Sequence, residues 1–167
     1  MPRGVAEIQP AECRVGIISD THGLLRPEAI AALQGSDLII HAGDIGNEAV
    51  LVSLADIAPV FAVRGNNDHG DWAQRIPAAR LVTASEKFLY VLHDVKALNE
   101  APAGHGWAAV IAGHSHRPLV QERQGVLFLN PGSAGPRRFR LPVTVASLVI
   151  RGGRLDCDII EIAASGD

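Results

Sequence analysis

Histidine and aspartate recur in this chain at one kind of place, immediately after a short apolar run. "RVGIIS" (14–19) is followed by Asp20, Thr21 and His22, and "LIIHAG" (38–43) by Asp44. "VFAVRG" (60–65) precedes Asn66, Asn67 and Asp68; "FLYVL" (88–92) precedes His93 and Asp94; "AVIAG" (109–113) precedes His114, Ser115 and His116. Turns favour Gly, Pro, Asn, Asp and Ser, which explains any one Gly-Asp or Gly-Asn pair but not four histidines. A metal site explains them. With no thiolate present, Asp20, His22, Asp44, Asn66, His93, His114 and His116 make a mixed imidazole and oxygen donor set. Such a set suits Mn²⁺, Fe, Zn²⁺ or Ni²⁺ rather than Cu⁺ or an iron–sulfur cluster. Seven side chains exceed one tetrahedral ion and suit two ions about 3.5–4 Å apart with one carboxylate bridging. Two divalent ions bring four positive charges, and two aspartates with a bridging hydroxide remove three. The remainder favours a phosphate anion.

Residues so far apart in sequence meet only if several strands end at one edge, as in open α/β sheets, where sites gather at the carboxyl ends of strands. The apolar runs, bounded by Gly or polar residues, suit strands buried on both faces. Two helices are expected between the first three: "RPEAIAALQGS", with Pro27 near its start, Gly35 at its end and Ile30 and Leu33 on its buried face, and 47–57, with Asn47 as N-cap. This order predicts α/β with a largely parallel sheet through about residue 65. From about residue 117 four strand candidates follow without an intervening helix and read as hairpins, with "RGGR" (151–154) a Gly-Gly turn. The glycines before Asp44, Asn66 and His114 are expected to let the backbone turn sharply.

The 167 residues, 47% hydrophobic and 20% charged, suit one domain, expected at 14–163 after a tail at 1–13. A net charge of −3 supplies no general attraction for nucleic acid or anionic membrane. The exception is "PRRFR" (136–140), expected to be a solvated loop rather than a substrate-facing basic patch. Cys13 and Cys157 are too few for a disulfide framework and lie in no C-x-x-C pair. With no basic-then-apolar leader and no apolar run of roughly 18 residues, a cytoplasmic location is expected.

The order D-x-H, G-D, G-N-x-D/E, a lone His and G-H-x-H appears here as "DTH", "GD", "GNND", "LH" and "GHSH" across residues 20–116, and "NPGS" (130–133) continues it. In this the sequence resembles the calcineurin-like metallophosphoesterase superfamily, and in its short length its small bacterial and archaeal phosphodiesterases. The resemblance implies an α/β fold, a four-layer α/β/β/α sandwich with two mixed β-sheets and a dimetal site at the strands' carboxyl ends. It implies that Asp20, His22 and His116 hold one divalent ion, that Asn66, His93 and His114 hold the other, and that Asp44 bridges. Manganese is the first choice, with Ni²⁺, Fe²⁺ or Zn²⁺ as alternatives. The implied reaction is hydrolysis of a small phosphoester, a diester first, by a metal-bridging hydroxide.

Asn67 stands where many relatives carry a histidine able to protonate the leaving group. It is expected to orient a phosphate oxygen, and Asp68 to hold the motif loop. His69 is the nearest alternative proton donor. His41 is expected as a core or supporting residue and His105 as a loop residue, while Arg64 is open between an ion pair and a phosphate contact. Rival readings are a non-catalytic scaffold of the same fold, as in the retromer subunit of this superfamily, and a phosphomonoesterase or nuclease. Relatives are often dimers or tetramers, which leaves a homo-oligomer open; no membrane partner is expected.

Overall fold

A computed structural model of the chain describes residues 12–99 and 101–162. Most of the expected tail therefore lies outside the described residues, and Cys13 already opens the first strand. In order the elements are β1 (Cys13–Ile18), α1 (Pro27–Leu33), β2 (Leu38–His41), α2 (Glu48–Ala55), β3 (Val60–Ala62), α3 (Asp71–Gln74), β4 (Ala79–Ala84), β5 (Lys87–Leu92), β6 (Ala109–Ile111), β7 (Leu119–Arg123), β8 (Val126–Asn130), β9 (Thr144–Arg151) and β10 (Arg154–Glu161). They form two five-stranded sheets, ordered β10-β9-β1-β2-β3 and β4-β5-β6-β8-β7.

Each sheet is mixed. β1, β2 and β3 run parallel, with β9 antiparallel to β1 and β10 to β9. In the second sheet β5, β6 and β8 run parallel, with antiparallel edges β4 and β7. The late strands thus make two hairpins, β7–β8 and β9–β10, but not a third. Between β8 and β9 the chain crosses from one sheet to the other, because the apolar run of β9 finds its partner in β1, pairing Val15 with Leu148 and Ile17 with Ala146.

Parallel central strands must be covered on both faces. Val15, Ile17, Ile40 and Leu148 of the first sheet and Leu89, Val91, Ile111 and Leu129 of the second meet in one core between the sheets. On the outer face of the first sheet Ile18 and Ile39 pack with Leu33 and Leu54 from the helices. Pro27 opens α1, where its missing N–H costs nothing, and the Asn47 side chain accepts from Val50 N to cap α2. The buried face of α1 is Ala29 and Leu33, four apart, with Ile30 only half-buried. On the outer face of the second sheet the chain makes only two short 3-10 turns, Val95–Ala97 and Pro102–His105, and Leu98 and Trp107 beside them pack on Leu92, Val110 and Ala112. This is the thinnest of the four layers. Pro102 and Gly104 deny that segment a regular helix.

β4 and α3 were not expected from the sequence. β4 is an edge strand that alternates burial, and its turn to β5 uses Ser85 and Glu86, both with positive φ, where the recognisable hairpin turns use Asn-Gly or Gly-Gly. The Gly152–Gly153 turn between β9 and β10 is as expected. No helix among the described residues is long and apolar enough to cross a membrane.

Candidate metal centre

The loops after β1, β2, β3, β5 and β6 converge at one end of the sandwich, and the polar residues that follow each strand meet there. Asp20, His22 and His116 form one group and Asp44, His93 and His114 a second, the candidate ligand atoms of each lying within 4.8 Å of one another. Two metal–ligand bonds of about 2.1 Å nearly bridge that span. Asp44 Oδ2 stands between the groups, 3.3 Å from His93 Nε2 and 3.8 Å from His22 Nε2. Asp20 Oδ1 is 3.3 Å from His116 Nε2 and 4.0 Å from both His22 Nε2 and His93 Nε2. Asn66 lines a cavity with His93 and His114.

Whether these residues fit a metal can be judged from what they leave unmade. Asp20 Oδ1, His22 Nε2 and His116 Nδ1 are buried without a hydrogen-bond partner among the described residues. A buried polar atom left unpaired costs about 1–3 kcal/mol, and two of these, Asp20 Oδ1 and His22 Nε2, lie 4.0 Å apart where one cation would satisfy both. His93 is oriented for the same purpose. Its Nδ1–H donates to Ala42 O at 2.7 Å, which fixes the tautomer and leaves Nε2 facing the site.

The backbone carries strain here. Asp20, His22, Asp44, His114 and His116 all have positive φ, from 46° to 69°, so five of the seven expected ligands occupy the left-handed region. Such residues cost roughly 1–3 kcal/mol each and persist where surrounding structure holds them. This corrects the expected role of the glycines. Gly43 does turn with φ 99°, but Gly65 and Gly113 do not have positive φ. They are needed for close approach: a Cβ on Gly65 would collide with the Asp44 backbone, and one on Gly113 with the Ser19 hydroxyl and the Asp20 carboxylate.

Neighbouring groups hold the ligands in place. Ser19 Oγ donates to Asp20 Oδ2 at 2.6 Å, and His114 N donates to the same oxygen at 3.1 Å. Asp68 is buried and accepts three backbone N–H groups, from Ile45, Gly46 and Gly65, tying the β2 and β3 loops together. Asn67 donates to Asp44 through its backbone N (3.0 Å, to Oδ1) and its side-chain amide (2.9 Å, to Oδ2). Burial opposes the Asp44 charge, but hydrogen bonds from His93 and Asn67 outweigh it and hold this carboxyl well below the usual range. For His93, burial works against protonation, yet the Asp44 carboxylate and the Ala42 carbonyl prevail and raise its pKa. Burial lowers that of His22.

The remaining expected residues fall outside the cluster or support it. Arg64 is structural, its guanidinium donating to Ile76 O at 2.9 Å beyond the end of α3. His105 stacks on Trp107, which stacks on Tyr90, and is exposed in its turn. His69 is exposed and makes no hydrogen bond or ion pair among the described residues. Asp94 caps the Val95–Ala97 turn and lies 3.7 Å from His114 Nε2. Sequence reasoning assigned no role to Ser19, Ser133 or Asn130. Asn130 donates to Gly113 O at 2.9 Å and Ser133 to Asp20 O at 3.1 Å, so the "NPGS" segment braces two ligand loops. The motif itself was the available signal. The "PRRFR" loop is solvated as expected, but Arg138 and Phe139 also line a small cavity with His114 and His116.

Residues 13–153 match the family model of the calcineurin-like phosphoesterase superfamily domain. The chain belongs to that superfamily. A probable metallophosphoesterase of Methanothermobacter thermautotrophicus is 34% identical over 162 residues, covering 90% of this chain and 93% of the relative. A novel archaeal phosphodiesterase of solved structure matches with a TM-score of 0.74 at 24% identity, over 89% of this chain and 99% of that one. Vacuolar protein sorting 29 from Cryptosporidium parvum matches with a TM-score of 0.72 at 17% identity, over 92% and 99% of the two chains. At such identities the structural likenesses show the fold, which is that of the superfamily.

Proposed function

We propose that the chain is a metal-dependent phosphodiesterase that hydrolyses a small phosphoester with two divalent ions, manganese first. The observation that carries this reading is the pair of ligand groups meeting at Asp44 beside the buried, unpartnered Asp20 Oδ1 and His22 Nε2. The names of the similar proteins, a probable metallophosphoesterase and an archaeal phosphodiesterase, support it. Asp20, His22 and His116 would hold one ion, and Asn66, His93 and His114 the other, with Asp44 shared. When bound, the two ions would supply a nucleophilic water at neutral pH and polarise the phosphoryl group. Around them the chain's own groups are set beforehand: the Ala42 carbonyl orients His93, and Asn67 donates to both oxygens of Asp44. Only one of the two Asn67 amide hydrogens is needed for Asp44, and the other is available to a phosphoryl oxygen. The two free thiols fit a reducing, cytoplasmic compartment.

One feature favours the scaffold reading. Asn67 cannot deliver a proton, and neither His69 nor any other histidine is hydrogen-bonded to it among the described residues. The test is turnover of bis(p-nitrophenyl) phosphate by metal-stripped protein with Mn²⁺, Ni²⁺, Zn²⁺ or Mg²⁺ restored singly. Metal-dependent turnover is expected, with p-nitrophenyl phosphate as the monoester control. Metal binding without turnover of either ester would replace the enzyme with the scaffold.

A further inference from the structure

Beside the candidate ligand groups the turn at 138–141 presents two exposed side chains, Arg138 and Phe139. The turn is closed by Leu141 N donating to Arg138 O at 3.2 Å, and Phe139 occupies its second position with φ 56°. That conformation belongs to Gly, Asn or Asp, and a phenylalanine holds it against steric cost. The ring gains no burial in return. Phe139 is 91% exposed, whereas the next most exposed large apolar residue, Val52, is 63% exposed. The Arg138 guanidinium makes no hydrogen bond or ion pair among the described residues, yet its charge is felt at His22. Both side chains line a cavity of about 100 Å³ with His114, Ser115, His116 and Leu141. The base of the loop is pinned to the ligand strand by Ala134 N donating to Ser19 O and Ser133 Oγ to Asp20 O. A guanidinium and an aromatic ring thus stand beside His114 and His116 on a loop whose base is tied to the ligand strand.

We propose that Arg138 and Phe139 form a substrate clamp: the guanidinium pairs with the phosphoryl anion, and the ring stacks on a planar aromatic group esterified to it. The clamp rests on the phosphoesterase reading above and narrows its substrate to aryl or nucleoside phosphoesters. An aromatic face stacks on any planar ring with little regard to its hydrogen-bonding edge, so the selection is for flatness rather than for one base. Arg recognises a phosphoryl group through paired N–H donors, which a lysine cannot reproduce.

Phenylphosphonate and methylphosphonate carry the same anion, differ by the ring and are not phosphoesters, so their binding to the Mn²⁺-loaded protein isolates the clamp. Calorimetry is expected to give phenylphosphonate a Kd about tenfold lower than methylphosphonate, the scale of one stacked ring. Phe139→Ala brings the two within about twofold by weakening phenylphosphonate alone, and Phe139→Tyr restores the difference. Arg138→Gln weakens both ligands by about the same several-fold factor, and Arg138→Lys recovers only part of it. Equal binding of the two ligands by the unaltered protein, or a ratio unchanged in Phe139→Ala, overturns the clamp and leaves the phosphoesterase reading intact. A Phe139→Ala loss that falls equally on methylphosphonate makes the residue a loop brace and also overturns it. Failure to bind either phosphonate, or inorganic phosphate, removes the anion site itself, and the phosphoesterase reading goes with it.

Discussion

At His41 three hydrogen bonds in series decide a protonation state. Gly43 N donates to Nδ1 at 3.2 Å, so Nε2 carries the proton and donates to Thr21 Oγ1 at 3.0 Å, whose hydroxyl donates to Ile45 O at 2.8 Å. Complete burial pushes this imidazole down to about 4, against 6.5 in the unfolded chain. The folded protein therefore keeps His41 neutral where the unfolded chain takes a proton. Stability contributed this way is full above pH 6.5 and is lost as pH falls from 6.5 to about 4, by up to roughly 3 kcal/mol. Urea unfolding at stepped pH checks it: His41→Gln is expected to flatten the slope in that window, and an unchanged slope would contradict the assignment. The residue scale was also the most legible in the sequence. Asp20, His22, Asp44, Asn66, His93, His114 and His116 each follow a strand directly, so their types and places could be read locally. Ser19, Asn130 and Ser133 could not be given roles, because their hydrogen bonds reach loops far away in sequence or are common for their residue types.

Among the elements, the loops after β2 and β3 depend on one carboxylate. Asp68 is 5% exposed and accepts from Ile45, Gly46 and Gly65 at 3.2, 3.0 and 2.8 Å. Asp68→Ala strands three donors and is expected to cost about 2–5 kcal/mol in urea unfolding, with Asp68→Asn milder because one oxygen survives. A loss below about 0.5 kcal/mol for Asp68→Ala would mean that water or a neighbour replaces the carboxylate. Strands with apolar runs and helices with Pro27 or Asn47 at their starts declared themselves in the sequence. β4 did not, since its half-exposed alternation and Ser85–Glu86 turn carry weak signals. The crossover from β8 to β9 was equally hidden. Apolar periodicity names a strand but not its partner, and it was Val15 and Ile17 of β1 that β9 joined.

On the scale of the molecule, two mixed sheets packed through Ile17, Ile40, Leu89 and Ile111 bring five loops to one end, and the packing there holds five ligand residues in left-handed conformations. Bound metal ions would enter that balance. Ions that bind the folded chain and not the unfolded one stabilise it by mass action, about 2.7 kcal/mol at a hundred times Kd, so chelation is expected to lower Tm and Mn²⁺ to restore it. The central claim is that these ligands form two joined sites, and Asp20 tests it cleanly. Asp20→Asn can keep one oxygen for Ser19 and the His114 N–H while replacing the unpartnered Oδ1 with an amide that cannot bind a cation. Calorimetric titration of metal-stripped protein with Mn²⁺ is the most direct measurement. Two equivalents for the unaltered chain, falling to one in a folded Asp20→Asn variant, are expected; one equivalent or none in the unaltered chain, or two in the variant, would contradict the account.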